Sequence, residues 1–377
     1  MRIEPFEVAI PDDVLADLGA RVSNARLPNA IAGAGWEQGT DLEYLEELSA
    51  YWSERFDWRE HEARLNALDQ WTTEIDGQRI YFIHQRSGRS EAMPLLLAHG
   101  WPGSVLEFID TIDPFVNPSA DQLAFDLVVP ALPGYGFSGP TSQAGWHPRR
   151  IAEAFIELMA GLGYERFGVQ GGDWGSVVAA NMADLAPEHV AGLHLNFLAG
   201  PRPDPDEVAA LAPAHQAALA TREHWQERET GYQAIQGTKP QTVGYALEDS
   251  PVGLAAWIVE KFRAWSDCDG DVERSFSKDQ LLANITLYWV TKTATSSARL
   301  YHEMRRAGVG ALPQAPVVVP TAVAHYPAEI ARASRAWAEH RYHVTHWVDM
   351  PRGGHFAAME VPDLFVSDVR EFFTSTR

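Results

Sequence analysis

The segment GGDWGS, Gly171 to Ser176, offers two nucleophiles, a carboxylate at Asp173 and a hydroxyl at Ser176, where an apolar run gives way to a helical one. A strand-to-helix turn that lifts a nucleophile above a sheet needs small residues two places either side of its apex. Larger side chains would clash there, because strand and helix pack tightly. Centred on Asp173 those positions are Gly171 and Gly175; centred on Ser176 they are Trp174 and Val178. Only the first frame fits, so Asp173 is the expected apex. The plainer reading is a glycine-rich turn in which Asp173 caps the following helix.

A carboxylate at such an apex can form an alkyl ester, which keeps a carbonyl for water to attack. Charge then develops on that carbonyl oxygen and calls for two backbone N–H donors. In hydrolases with this turn, one comes from the residue after the nucleophile and the other from the loop after an earlier strand. Here those residues are Trp174 and, in HGWPG, Trp101. A base is expected last in chain order. His355, in the glycine-containing loop of RGGHFAAME, has that place, whereas His189, His194 and His346 read as structural. Its acid partner should follow a late strand: Glu329 in VAHYPAEI is the first choice, with Asp349, Asp204 and Asp206 as alternatives.

These groups need elements to hold them. PLLLAHG, FDLVVPALPG, RFGVQG and HVAGLHLNFL are short apolar runs ending in loops, as buried parallel strands do. TTEIDGQRIYFIHQR predicts a hairpin turning at Asp76-Gly77. Between Trp146 and Leu162 a helix should turn Ile151, Phe155, Leu158 and Leu162 inward. Sheet texture returns in APVVVPTAVAH, followed by a helix around IARASRAWAEH, the strand YHVTHWVDM and a last amphipathic helix. Strand–helix alternation predicts an α/β fold with a mostly parallel central sheet flanked by helices. Residues 1–70 read as a helical extension, with Val14, Leu15, Leu18 and Val22 on one face and Leu42, Leu45, Leu48 and Trp52 on another. No strand is expected before about Thr73. A Pro-rich linker, Gly200 to Asp206, opens a helical insertion over 201–305 that splits the α/β core into 71–200 and 306–377.

With 377 residues, 46% hydrophobic and 21% charged, the chain is that of a globular protein with room for a large core. A net charge of −21 argues against nucleic acid and anionic membranes as partners. The N-terminus is no signal peptide and no apolar run is long enough to span a bilayer. The single cysteine, Cys268, lies among acidic residues, reads as inert and suits a cytoplasmic location. No metal-ligand cluster and no phosphate or dinucleotide fingerprint is present, so neither metal nor cofactor is expected.

Taken in order, YWSERFDWREHEARLN, TEIDGQRIYFIH, HGWPGS, LPGYGFSG, GGDWGS, GYQAIQGTKPQTVGYALEDSPVGLAAWIVEKF and RGGHFAAMEVPDLF resemble the epoxide hydrolases of the microsomal type, a branch of the α/β-hydrolase superfamily, over nearly the whole chain. The resemblance implies a hydrolase core with a helical cap. It matches Asp173 to the nucleophile, His355 to the base and Glu329 to the acid. It also matches Tyr232 and Tyr301 to the cap tyrosines that hold the epoxide oxygen, which the residue pattern alone does not single out. Membrane-bound relatives carry an N-terminal anchor that this sequence lacks, so a soluble member is expected. The implied partners are a small-molecule epoxide and water, and a homodimer is compatible with the sequence. The family serves detoxification, hormone breakdown and natural-product assembly, including enediyne pathways. Rival readings are a haloalkane dehalogenase, which also uses an Asp in this turn but commonly has Asn at the Trp101 position; a serine esterase using Ser176; and a non-catalytic binding protein of the same fold.

Overall fold

The computed structural model describes residues 1–198, 223, 225–330 and 332–376. Three helices lead in: α1 (Asp12–Ser23), α2 (Leu42–Glu54) and α3 (Trp58–Asn66). Of the two expected apolar faces, Leu18, Val22, Leu45, Leu48 and Trp52 are buried, with Val14, Leu15 and Leu42 at the margin. Asp41 starts α2 by accepting the Tyr44 N–H on its side chain, as a good N-cap does.

The strands are β1 (Glu4–Pro5), β2 (Gln70–Ile75), β3 (Gln78–Gln85), β4 (Met93–Ala98), β5 (Phe125–Pro130), β6 (Phe167–Gly171), β7 (Val190–Leu195), β8 (Val317–His325) and β9 (Tyr342–Asp349). They form one sheet in the order β1-β2-β3-β5-β4-β6-β7-β8-β9. From β5 to β9 every pairing is parallel; β1, β2 and β3 add an antiparallel edge. The hairpin turns where expected, with Asp76 and Gly77 both at positive φ, as a two-residue turn between twisted strands requires. The expectation of no strand before Thr73 is corrected: β2 starts at Gln70, and Glu4–Pro5 pairs with Thr72 and Trp71. A two-residue edge strand containing proline shows no alternation for a sequence reading to detect.

Successive residues of β4 point to opposite layers, as pleating dictates. Leu96 and Ala98 join the layer of α5 (Pro148–Gly161) and α6 (Asp173–Leu185), while Leu95 and Leu97 join that of α4 (Ile109–Val116) and the final helix Pro362–Ser375. Ile151, Phe155 and Leu158 of α5 are buried and Leu162 lies at its end, half-buried. Between β7 and β8, the described residues form the helices Gly231–Thr238, Pro240–Asp249, Pro251–Trp265, Lys278–Val290 and Ala294–Ala307. The Pro-rich linker, with Asp204 and Asp206, lies outside the described residues. The helix expected around Ile330 to His340 is shorter, Arg335–Glu339, because Ser334 caps it by accepting the Trp337 N–H. No described helix is long and apolar enough to cross a membrane.

Strand order reverses across β4: β5 lies on one side of it and β6 on the other. The loops leaving the carboxyl ends of β4 and β6 therefore diverge and open a crevice, the usual place for a ligand in such sheets.

Candidate active site

Asp173 occupies this crevice. It is two residues past the end of β6, starts α6 and has φ +44°, a left-handed conformation uncommon for residues other than glycine. The steric reading of its flanking glycines is literal. A Cβ at Gly171 would stand 2.3 Å from the Gly175 carbonyl oxygen, and one at Gly175 would stand 1.9 Å from that of Ala98. Both obstacles are backbone, so neither can give way. Gly175→Ala is expected to destabilise the protein by at least ~1–3 kcal/mol, the usual cost of overpacking, read as a lower melting temperature. Ser176 points back into the turn, its hydroxyl donating to the Asp173 carbonyl at 2.6 Å.

The loop after β4 reaches the Asp173 carboxylate. The Trp101 N–H donates to Oδ1 at 2.8 Å, and Gly100 leaves room for this approach, since a Cβ there would lie 2.3 Å from that oxygen. Trp174, second residue of α6, carries one of the unpaired N–H groups that any helix start presents. The loop is braced from the inserted helix Lys278–Val290: Asn284 donates to the Pro102 carbonyl at 2.7 Å, and Tyr288 to that of Gly103 at 2.7 Å. His99 accepts the Leu132 N–H at 3.1 Å on Nε2, and burial lowers its pKa to about 4, so it is a neutral clamp between the loops after β4 and β5.

His355 and Glu329 arrive from the loops after β9 and β8, which an isolated parallel bridge, Ala328 to Gly354, ties together. Glu329 Oε1 lies 2.8 Å from His355 Nδ1 and also accepts the Ile330 N–H at 2.7 Å. It therefore fixes the imidazole with Nδ1 protonated and Nε2 turned toward Asp173, 3.4 Å from Oδ2. The His355 N–H donates to the Trp265 carbonyl at 2.9 Å, and the rings of Phe197 and Trp265 flank the imidazole edge-on. Burial would lower the imidazole pKa, but the carboxylates of Glu329 and Asp173 outweigh it and raise the pKa well above the ordinary value. Asn substitution at Asp173, or Gln at Glu329, removes one of these charges. Each is expected to move the His355 titration, followed by NMR, to lower pH. Of the alternative acids, Asp349 instead pairs with His325 at 2.7 Å on the surface.

Tyr232 and Tyr301 close the crevice from the inserted helices. The Trp101 ring stacks on Tyr232 at 4.9 Å and meets Tyr301 edge-on at 5.8 Å; Trp174 meets Tyr301 edge-on at 4.8 Å. Burial, reinforced by neighbouring charge including that of Asp173, raises both phenol pKa values well above the ordinary one, so both remain proton donors. Gln233 donates to the Tyr232 hydroxyl, while the Tyr301 hydroxyl is buried without a hydrogen-bond partner. The structure thus links Trp101, Asp173, Trp174, Tyr232, Tyr301, Glu329 and His355 through one series of hydrogen bonds and ring contacts. Sequence reasoning missed Glu107 and Asn196, which line a small cavity with Trp101, Asp173 and His355. Asn196 does stand just past the carboxyl end of a strand, but nothing in its neighbourhood sets it apart.

An aspartate at the apex of a strained turn, beside a carboxylate-backed imidazole at a sheet's switch point, is the layout of an α/β hydrolase, and residues 93–230 match the family model described as alpha/beta hydrolase fold. Residues 3–108 match the model described as Epoxide hydrolase N terminus. The chain belongs to the epoxide hydrolase family. Epoxide hydrolase 1 of Sus scrofa is 39% identical to it over 98% of this chain and 88% of its own. Among solved structures, juvenile hormone epoxide hydrolase from the silkworm Bombyx mori superposes with a TM-score of 0.93 at 33% identity, covering 100% of this chain and 95% of its own. The Aspergillus niger epoxide hydrolase gives 0.90 at 31% identity, covering 100% and 97%.

Proposed function

We propose that this enzyme opens an apolar epoxide, aromatic or otherwise bulky, and hydrolyses it to a vicinal diol through an ester at Asp173. The observation that carries this reading is the pairing of a carboxylate with two buried, protonated phenols across one aromatic-walled space. Oδ1 is occupied by the Trp101 N–H, which leaves Oδ2 to attack. As Oδ2 bonds to an epoxide carbon, the ring C–O bond breaks and its electron pair stays on oxygen. That oxygen takes a proton from Tyr232 or Tyr301, leaving a tyrosinate.

Esterification removes the charge on Asp173 that helps to hold His355 protonated, so the imidazolium releases its proton to solvent and regains one when the carboxylate is restored. The imidazole, still backed by Glu329, then takes a proton from water, and the hydroxide adds to Cγ of Asp173. Negative charge on Oδ1 meets the N–H groups of Trp101 and Trp174. On collapse the Cγ–O bond to the alkyl group breaks, His355 protonates the departing alkoxide, and the remaining acid proton returns to the tyrosinate.

A departing halide needs N–H donors but no proton, so two phenols facing the nucleophile favour an epoxide over a haloalkane. We further propose that residues 201–305 act as a cap over the core and that the enzyme works in the cytoplasm, in detoxification or natural-product assembly. Incubation with styrene oxide and with 1-chlorohexane separates the two chemistries: diol is expected from the first and no chloride from the second, and the reverse result would refute the reading. Tyr232→Phe/Tyr301→Phe is expected to lower the rate of ester formation by roughly 10²–10⁴-fold, the usual worth of a general acid, measured by rapid quench.

A further inference from the structure

Beside Asp173 lies a small cavity lined by Glu107, Asp173, Asn196 and His355, with Phe108 and Phe356 among its apolar walls. It leaves about 10 Å³ for the centre of a water molecule, close to what one ordered water occupies. Two of its polar side chains each fill the space beside a glycine. The Glu107 carboxyl folds back over the loop after β4 and takes the place of a side chain at Gly103, where a Cβ would stand 1.6 Å from Oε1. The Asn196 amide does the same at Gly172, where a Cβ would stand 2.8 Å from Nδ2. Asn196 Oδ1 already accepts from Gln170 at 2.8 Å and Nδ2 donates to the His355 carbonyl at 3.4 Å, which leaves the second N–H of the amide as a donor. His355 Nε2 is buried without a hydrogen-bond partner of its own.

We propose that Glu107 is a positioning residue that holds the hydrolytic water in this cavity against the Asp173 ester. The inference rests on the ester reading above. A water attacking Cγ needs one lone pair free and its hydrogens directed elsewhere. His355 Nε2 accepts one hydrogen, the Glu107 carbonyl oxygen accepts the other, the Asn196 N–H fills one lone pair, and the second lone pair faces Cγ. The Glu107 chemistry suits this role. Burial pushes its pKa up to about 8, opposed by the His355 charge and helped by a smaller contribution from Asp173. It is therefore neutral at pH 7 and offers an acceptor without a negative charge that would oppose the oxyanion forming on Asp173.

The test separates ester formation from ester breakdown by rapid quench and intact-protein mass spectrometry, with styrene oxide as probe. Glu107→Leu is expected to form the ester at close to the wild-type rate but to break it down roughly 10- to 100-fold more slowly, the order expected when a reactant is misplaced. The ester then accumulates. Glu107→Gln, which keeps a carbonyl acceptor, is expected to restore most of the breakdown rate. The proposal is overturned if Glu107→Leu breaks the ester down at the wild-type rate. It is equally overturned if both variants slow formation as much as breakdown, since Glu107 would then only brace the loop. Should Glu107→Leu not fold, Glu107→Ala carries the same measurement. If wild-type enzyme never forms the ester, the ester reading itself fails and takes this inference with it.

Discussion

Asp173→Ala is expected to abolish turnover, with kcat falling on the order of 10⁶-fold, the scale seen when a hydrolase loses its nucleophile. The same assay should find that Ser176→Ala keeps much of its activity. The contrast follows from the turn. Asp173 is held at φ +44° with its carboxylate in the crevice, whereas the Ser176 hydroxyl is committed to the Asp173 carbonyl. The loss should be chemical and not a folding defect, because alanine keeps the Cβ at the turn and removes only the carboxylate, whose hydrogen bond from the turn's surroundings comes from the Trp101 N–H. A melting temperature within a few degrees of wild type checks that. If Ser176→Ala alone were inactive while Asp173→Ala retained turnover, the apex would be wrongly assigned.

The second large effect is expected at His355, and it differs in kind. His355→Gln should still form the ester, because Oδ2 of Asp173 needs no base to attack. It should fail to hydrolyse it, with breakdown slowed on the order of 10⁴-fold or more. One equivalent of epoxide is then consumed per active site, and the enzyme gains the mass of the epoxide and keeps it. Glu329→Gln should show a milder form of the same defect. It leaves the imidazole present but removes the carboxylate that fixes its tautomer from 2.8 Å away. A His355→Gln variant that consumed no epoxide at all would place the histidine in the first step and contradict this division of labour.

How much of this was legible in the sequence depended on whether the signal was local. The elbow was: Gly171 and Gly175 flank Asp173 within five residues, and the clashes they avoid are with backbone. The Asp76-Gly77 hairpin and the apolar runs of β4, β6 and β7 were equally local. The acid was narrowed but not fixed, since Glu329 and Asp349 both follow late strands, and only the fold sends one to His355 and the other to His325. Tyr232 and Tyr301 came from resemblance alone, because nothing in an aromatic-rich helical segment distinguishes a phenol facing Asp173 from one packed in a core. Glu107 and Asn196 stayed invisible. Each takes the space of an absent side chain at a glycine, Gly103 and Gly172, and that complementarity exists only in three dimensions.

The central claim is that oxygen reaches the diol from Asp173 and not directly from water. It is tested most directly by a single turnover in oxygen-18 water, with enzyme in excess over styrene oxide. The diol released in that turnover is expected to be unlabelled, and peptide mass spectrometry should find one heavy oxygen in the carboxylate of Asp173. Heavy oxygen in the first diol, with Asp173 unlabelled, would mean that water attacks the epoxide itself and would contradict the account.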